Sequence, residues 1–150
     1  MKNHKLKPEE VLSKLPYSKP FLFVDELISL SLNRAEGNFH FKDDLEFYTG
    51  HFKDNPVTPG VILTECMAQI GIVSLGIYLL SDSPNLENIK FALTSTEIEF
   101  LKPVYPNEKV HVISEKIYFR FNKLKCKVEM LNADNILVCR GTIAGMIISS

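Results

Sequence analysis

Between Gly50 and Glu65 the sequence reads GHFKDNPVTPGVILTE, and three residues in it suit acid–base chemistry on a carbonyl compound. His51 carries an imidazole, a side chain that titrates close to neutral pH and can take up a proton there. It lies in a segment whose backbone is restricted by Pro56 and Pro59. Gly60 stands where an apolar run begins. The first amides of a helix have no internal acceptor and can polarise a carbonyl oxygen, and a glycine there lets a substrate come close. Glu65 is the only charged residue between Asp54 and Asp82. A carboxyl group among apolar side chains keeps its proton to higher pH, which is what a general acid needs. Gln69, at i+4, is placed to hydrogen-bond it. A base, an oxyanion-type donor and an acid together suit removal of a proton α to a carbonyl with loss of a β-hydroxyl as water. A lone histidine and a lone helical glutamate also occur as structural residues, and spacing alone does not choose.

These groups need elements to hold them. Pro8-Glu9-Glu10 opens a short helix, with proline and two carboxylates at its positive end, and Pro16 stops it. Pro20–Leu32 reads as a strand and Ala35–Lys42 as its antiparallel partner. A turn-rich loop from Asp43 to Pro59 leads into VILTECMAQIGIVSLGIYLL, Val61–Leu80, a helix apolar on every side. Ser81–Asn85 breaks it. Four further strands follow at Lys90–Leu101, Lys109–Phe121, Leu124–Leu131 and Ile136–Ile148. A helix without a polar face must be surrounded, and about six antiparallel strands supply one curved sheet to wrap it. The expected class is α+β, a single domain over residues 1–150 in the hot-dog arrangement. One sheet rarely covers a whole helix, so a second copy of the chain is expected to cover the rest.

Composition narrows the classes. A chain of 150 residues with 45% apolar and 23% charged residues is of ordinary globular make-up. Its net charge of −1 disfavours a nucleic-acid partner. Cys66, Cys126 and Cys139 have no CxxC spacing and read as reduced thiols in a cytoplasmic protein. His4, His40, His51 and His111 are scattered, so no metal site is expected. MKNHKLKPEE lacks an apolar signal region, so no export signal is expected. The helix is long enough to span a bilayer, but Glu65 and Gln69 are expensive in lipid and no Lys or Arg flanks it closely, so no membrane partner is expected.

GHFKDNPVTPGVILTECMAQ closely resembles the signature of the β-hydroxyacyl-acyl-carrier-protein dehydratases of type II fatty acid synthesis, a hot-dog family. Gly50-His51-Phe52, Pro56, Pro59-Gly60, Glu65 and Ala68-Gln69 each match an element of that pattern. LPYSKPFLFVDEL (Leu15–Leu27) and FLKPVYPNEKV (Phe100–Val110) resemble two further segments of the family. The resemblance implies dehydration of (3R)-hydroxyacyl-ACP to trans-2-enoyl-ACP, with His51 and Glu65 catalytic and the Gly60 N–H holding the thioester carbonyl. Gln69, Pro59 and Phe52 would support them. No cofactor is implied, since the substrate rides on the carrier's phosphopantetheine. Glu65 sets the chain apart from the family's isomerising members, which carry Asp there. The family's histidine and acid come from the two subunits of a dimer, so a homodimer or a trimer of dimers is expected.

The chain departs from the family at several positions. Tyr17-Ser18 replace His-Arg, and Glu99 and Leu101 stand where basic residues are frequent. Lys53, Thr58 and Cys66 replace the common proline, methionine and alanine. These changes bear on the carrier and the acyl chain, and they admit specialised lipid or polyene synthesis beside fatty acid synthesis. KIYFRFNKLKCK (Lys116–Lys127) holds five cations, Lys116, Arg120, Lys123, Lys125 and Lys127, and no acid. It reads either as a solvated sheet face or as a docking surface for an acidic carrier protein. Two rivals remain, a hot-dog acyl thioesterase using the same carboxylate and a non-catalytic subunit that binds an acyl carrier.

Overall fold

The computed structural model describes residues 5–149, and His4 lies outside them. A short helix α1 (Pro8–Ser13) precedes strands β1 (Glu26–Leu30) and β2 (Arg34–His40). The central helix α2 spans Gly60–Leu79. Its middle, Gln69–Ser74, is wound as a π-helix. Strands β3 (Ile89–Phe100), β4 (Lys109–Arg120), β5 (Lys123–Leu131) and β6 (Leu137–Ser149) complete a six-stranded sheet of order β1-β2-β4-β5-β6-β3. All five pairings are antiparallel.

The sheet curls around α2. On β5 the alternate residues Leu124, Cys126, Val128 and Met130 are fully buried and face the helix. The helix answers with Met67, Ile70, Ile72 and Leu75, also fully buried. Contact with β4 and β5 is close at Gly71, where an added Cβ would lie 2.9 Å from Ser114 and 3.1 Å from Val128. Ser114 Oγ donates to the Gly71 carbonyl at 3.1 Å, and Ser74 Oγ donates to the Gln69 carbonyl at 2.8 Å. These hydroxyls take up carbonyls in the π-wound stretch, where the regular helical ladder is altered.

Two expectations change. The strand expected over Pro20–Leu32 begins only at Glu26. The buried Gln69 side chain holds the backbone of Phe21 and Phe23, so these residues bond to the helix instead of to a neighbouring strand. The helix also starts at Gly60, one residue earlier than its apolar run.

The sheet leaves part of α2 bare. Val61 is 76% exposed, and Thr64 and Glu65 are half-buried, while Cys66 through Ile77 are buried. The neighbouring edge strand β3 exposes Leu93, Phe100 and most of its length.

Candidate active site

The loop after β2 ends in a 3-10 turn, Glu46–Thr49, that delivers His51. The His51 N–H donates to the Phe47 carbonyl at 3.0 Å, and the His51 carbonyl accepts from Val57 N–H at 2.8 Å. Its ring Nδ1 lies 2.9 Å from the Val57 carbonyl oxygen. A carbonyl can only accept, so Nδ1 carries a proton, and in the neutral imidazole the lone pair is on Nε2. The His51–Phe52 peptide is cis, and the Phe52 ring stacks on the imidazole with centroids 4.2 Å apart. Thr58 is buried, its hydroxyl bonded to Tyr48 and its N–H to the Val104 carbonyl. This anchors the loop on the segment after β3.

Pro59 is extended (φ −59°, ψ 138°) and α2 begins directly after it. Its carbonyl accepts from Ile62 and Leu63, which leaves the Gly60 N–H at the open end of the helix. The Phe100 ring lies over Gly60, and an added Cβ would come within 3.2 Å of it.

Glu65 lies on the half-bare side of α2. Burial raises its pKa above the ordinary glutamate range, and a hydrogen bond from Gln69 opposes the rise. Gln69 is fully buried and satisfied on both ends. Its Oε1 accepts from Phe23 N–H at 2.8 Å, and its Nε2 donates to the Phe21 carbonyl at 2.9 Å and to Glu65 Oε2 at 3.0 Å. The amide therefore ties the segment before β1 to the carboxylate. Tyr17 feels the same site. Burial, then the negative charge of Glu65, pushes its phenol up to about 12.

Within one chain His51 and Glu65 open into different depressions. His51, Val57 and Leu63 line one, Glu65, Thr64 and Leu93 line the other, and Gly60 and Phe100 belong to both. A single chain thus presents the base and the acid on two sides of the Gly60–Phe100 wall. Among the described residues no cluster of His, Cys, Asp or Glu could hold a metal ion.

Residues 15–144 match the model of the FabA-like domain. The chain belongs to the FabA-like family. It is 33% identical over 144 residues to the 3-hydroxyacyl-[acyl-carrier-protein] dehydratase FabZ of Sinorhizobium medicae, covering 94% of this chain and 89% of that one. It is 31% identical over 139 residues to the FabZ of Bacillus licheniformis, covering 92% and 93%. Among solved structures it resembles the dehydratase heterocomplex ApeI:P from Xenorhabdus doucetiae, with a TM-score of 0.79 at 13% identity over 97% of this chain and 94% of that one. It also resembles a hypothetical thioesterase with coenzyme A from Streptococcus pneumoniae, with a TM-score of 0.61 at 13% identity over 83% and 86%. These likenesses confirm the hot-dog fold.

Within this FabA-like frame the basic stretch divides. Lys123, Lys125 and Lys127 stand opposite Arg120, Tyr118 and Glu115 on the outer face of the sheet. Lys116 pairs with the buried Cys126, continuing the alternation of the buried Val112 and Ser114, and the irregularity at Ile117 then turns Tyr118 and Arg120 to the lysine face. Glu99 is ion-paired with Arg140 at 3.1 Å. Reasoning from sequence missed the Val57 carbonyl, the Phe100 wall and the nearness of Tyr17 to Glu65. Only the aromatic at Phe100, in a segment already matched to the family, was a usable signal.

Proposed function

We propose that this chain dehydrates (3R)-3-hydroxyacyl thioesters carried on acyl carrier protein to trans-2-enoyl thioesters. The observation that carries the reading is the pairing of opposite proton-transfer states. The His51 Nε2 is left bare by the Val57 carbonyl, while burial favours the protonated form of Glu65. His51 Nε2 takes the α-proton. Negative charge grows on the thioester oxygen, where the Gly60 N–H at the start of α2 receives it. Glu65 gives its proton to the β-hydroxyl, the C–O bond breaks, water leaves and the α,β double bond forms. One proton is taken and one is given, so the substrate loses water alone, and the His51 proton must return to Glu65 before the next turnover. No cofactor takes part.

The site is completed by a second copy of the chain. His51 and Glu65 lie in separate depressions of one chain, and β3 offers a long unpaired edge beside the bare face of α2. Pairing two β3 edges would cover both. A homodimer, alone or in a trimer of dimers, is the working unit. The three cysteines are free and buried, which suits the cytoplasm. The departures at Tyr17-Ser18, Glu99 and Leu101 favour an acyl chain of a specialised lipid or polyene pathway.

The test is mass spectrometry of the purified protein with a panel of β-hydroxyacyl carrier proteins. Loss of one water from the acyl chain supports dehydration. Release of free acid would make the protein a thioesterase, and an unchanged panel would leave a non-catalytic acyl-carrier-binding subunit.

A further inference from the structure

The hairpin joining β4 to β5 breaks three rules of stability at one place. Its turn is made by Phe121 and Asn122, both at positive φ (53° and 63°). Such a two-residue turn favours Asn and Gly, and an aromatic residue at positive φ is costly. Phe121 is also the most exposed large apolar side chain among the described residues, at 88%, and Ile117, four residues back along β4, is 52% exposed. Behind the tip, Arg120 and Lys123 stand directly opposite each other across the strands. Like charges so placed destabilise a pair. Lys125 follows on the same face, opposite Tyr118, whose ring lies 4.3 Å from the Arg120 guanidinium. A chain of net charge −1 has gathered cations around a bare aromatic tip. The exposed aromatic at positive φ and the opposed cations do not help the fold, whereas an apolar anchor ringed by cations fits an acidic partner.

We infer that the β4–β5 hairpin tip is the docking point for the acidic acyl carrier protein, with Phe121 as anchor and Arg120, Lys123 and Lys125 as its charged ring. This rests on the carrier-bound substrate proposed above. The hairpin lies far from the site of its own chain. Lys123 is level with Met146 and Ala92, while Phe100 is level with Cys139 and Met130. Seven residues of strand separate the two levels, about 23 Å. Antiparallel pairing of two β3 edges reverses this. The Ile89 end of one strand then lies beside the Phe100 end of its mate. β5 is two strands in from β3, so about three strand spacings, or 14 Å, separate it from the mate's β3. A carrier held by one subunit thus feeds the Gly60 end of the other.

The test is Phe121→Gly, with Lys123→Glu as a second variant. Glycine suits positive φ, so Phe121→Gly removes the anchor while relieving the backbone, and its Tm is expected to hold or rise. Affinity for a β-hydroxyacyl-loaded carrier protein, read by fluorescence anisotropy, is expected to fall about tenfold or more, the loss typical of an anchor residue. kcat/KM should fall likewise on the carrier-bound substrate and stay unchanged on a small N-acetylcysteamine thioester. Carrier affinity unaltered in both variants, or equal loss on the two substrates, would overturn the inference. So would a Phe121→Gly protein that loses only its binding to vesicles of phosphatidylglycerol and phosphatidylcholine, since the tip would then serve a lipid surface. If the wild type binds the carrier yet forms no enoyl product, the dehydration reading fails and the docking point stands.

Discussion

If each site takes its base from one subunit and its acid from the other, two dead chains can restore one another. The perturbation is a pair of variants, His51→Ala and Glu65→Gln. The first is half-buried in a loop outside the core, and the second keeps the size and the hydrogen-bonding shape of the side chain on α2. Neither opens a core cavity, so both chains are expected to fold. Alone, each homodimer lacks the same group in both of its sites. Unfolded together in equal amounts and refolded, the chains pair at random and about half the dimers are mixed. A mixed dimer carries one site with both defects and one with neither. Activity per chain should therefore return to about a quarter of wild type. If His51 and Glu65 of the same chain worked together, every site in every dimer would keep one defect and nothing would return. The assay is dehydration of a β-hydroxyacyl carrier substrate, with native mass spectrometry to count mixed dimers. Mixed dimers present in the expected share, with only the parents' residual activity, would refute the shared site.

Glu65→Gln alone should cost about 10²–10⁴ in kcat, measured by enoyl formation. It should also stabilise the protein at alkaline pH. Because the folded pKa of Glu65 is raised, wild type loses stability as pH rises through that value and the variant does not, so their Tm values should separate above it and converge in acid. Gln69→Leu removes the hydrogen bond that lowers the Glu65 pKa, so in whatever activity remains the alkaline limb of the rate profile should move to higher pH. It also leaves the buried Phe23 N–H unpaired, at about 1–3 kcal/mol in urea unfolding, and frees the part-buried Phe21 carbonyl. Gly71→Ala places a methyl group 2.9 Å from Ser114 and should cost about 1–3 kcal/mol, seen as a lower urea midpoint.

The fold was legible because periodicity survives in a single sequence. Leu124, Cys126, Val128 and Met130 alternate with Lys123, Lys125 and Lys127 as a half-buried strand must, and α2 announces its burial by having no polar face. The site was legible in part, because Glu65 is conspicuous in that helix and the surrounding motif resembles a known family. What stayed hidden depends on geometry between distant segments. The irregularity at Ile117 puts Arg120 on the lysine face and leaves Lys116 on the other, and nothing in KIYFRFNKLKCK marks it. The partner of His51 Nδ1 is a backbone carbonyl, and every residue has one. The segment from Phe21 to Val24 looks like a strand because it is apolar throughout and Phe23 and Val24 do enter the core, but the hydrogen bonds of Phe21 and Phe23 go to a side chain on α2.

The position of Glu65 joins assembly to chemistry. A carboxyl group buried within its own chain would be acidic enough in function without a partner, and one fully in water would lose its proton at neutral pH. Glu65 stands between these, half-buried on the one stretch of α2 that the sheet leaves bare. Its pKa is raised already by the burial a single chain supplies. Covering Val61, Thr64 and the exposed β3 edge with a second subunit, as proposed above, would remove more water from the same carboxyl group and raise the pKa further. In the dimer proposed above, the second subunit would also bring its own His51 to that side of the wall. The contact that supplies the base would then be the one that completes the acid, and a chain that has not paired would hold its base and its acid on opposite sides of the wall.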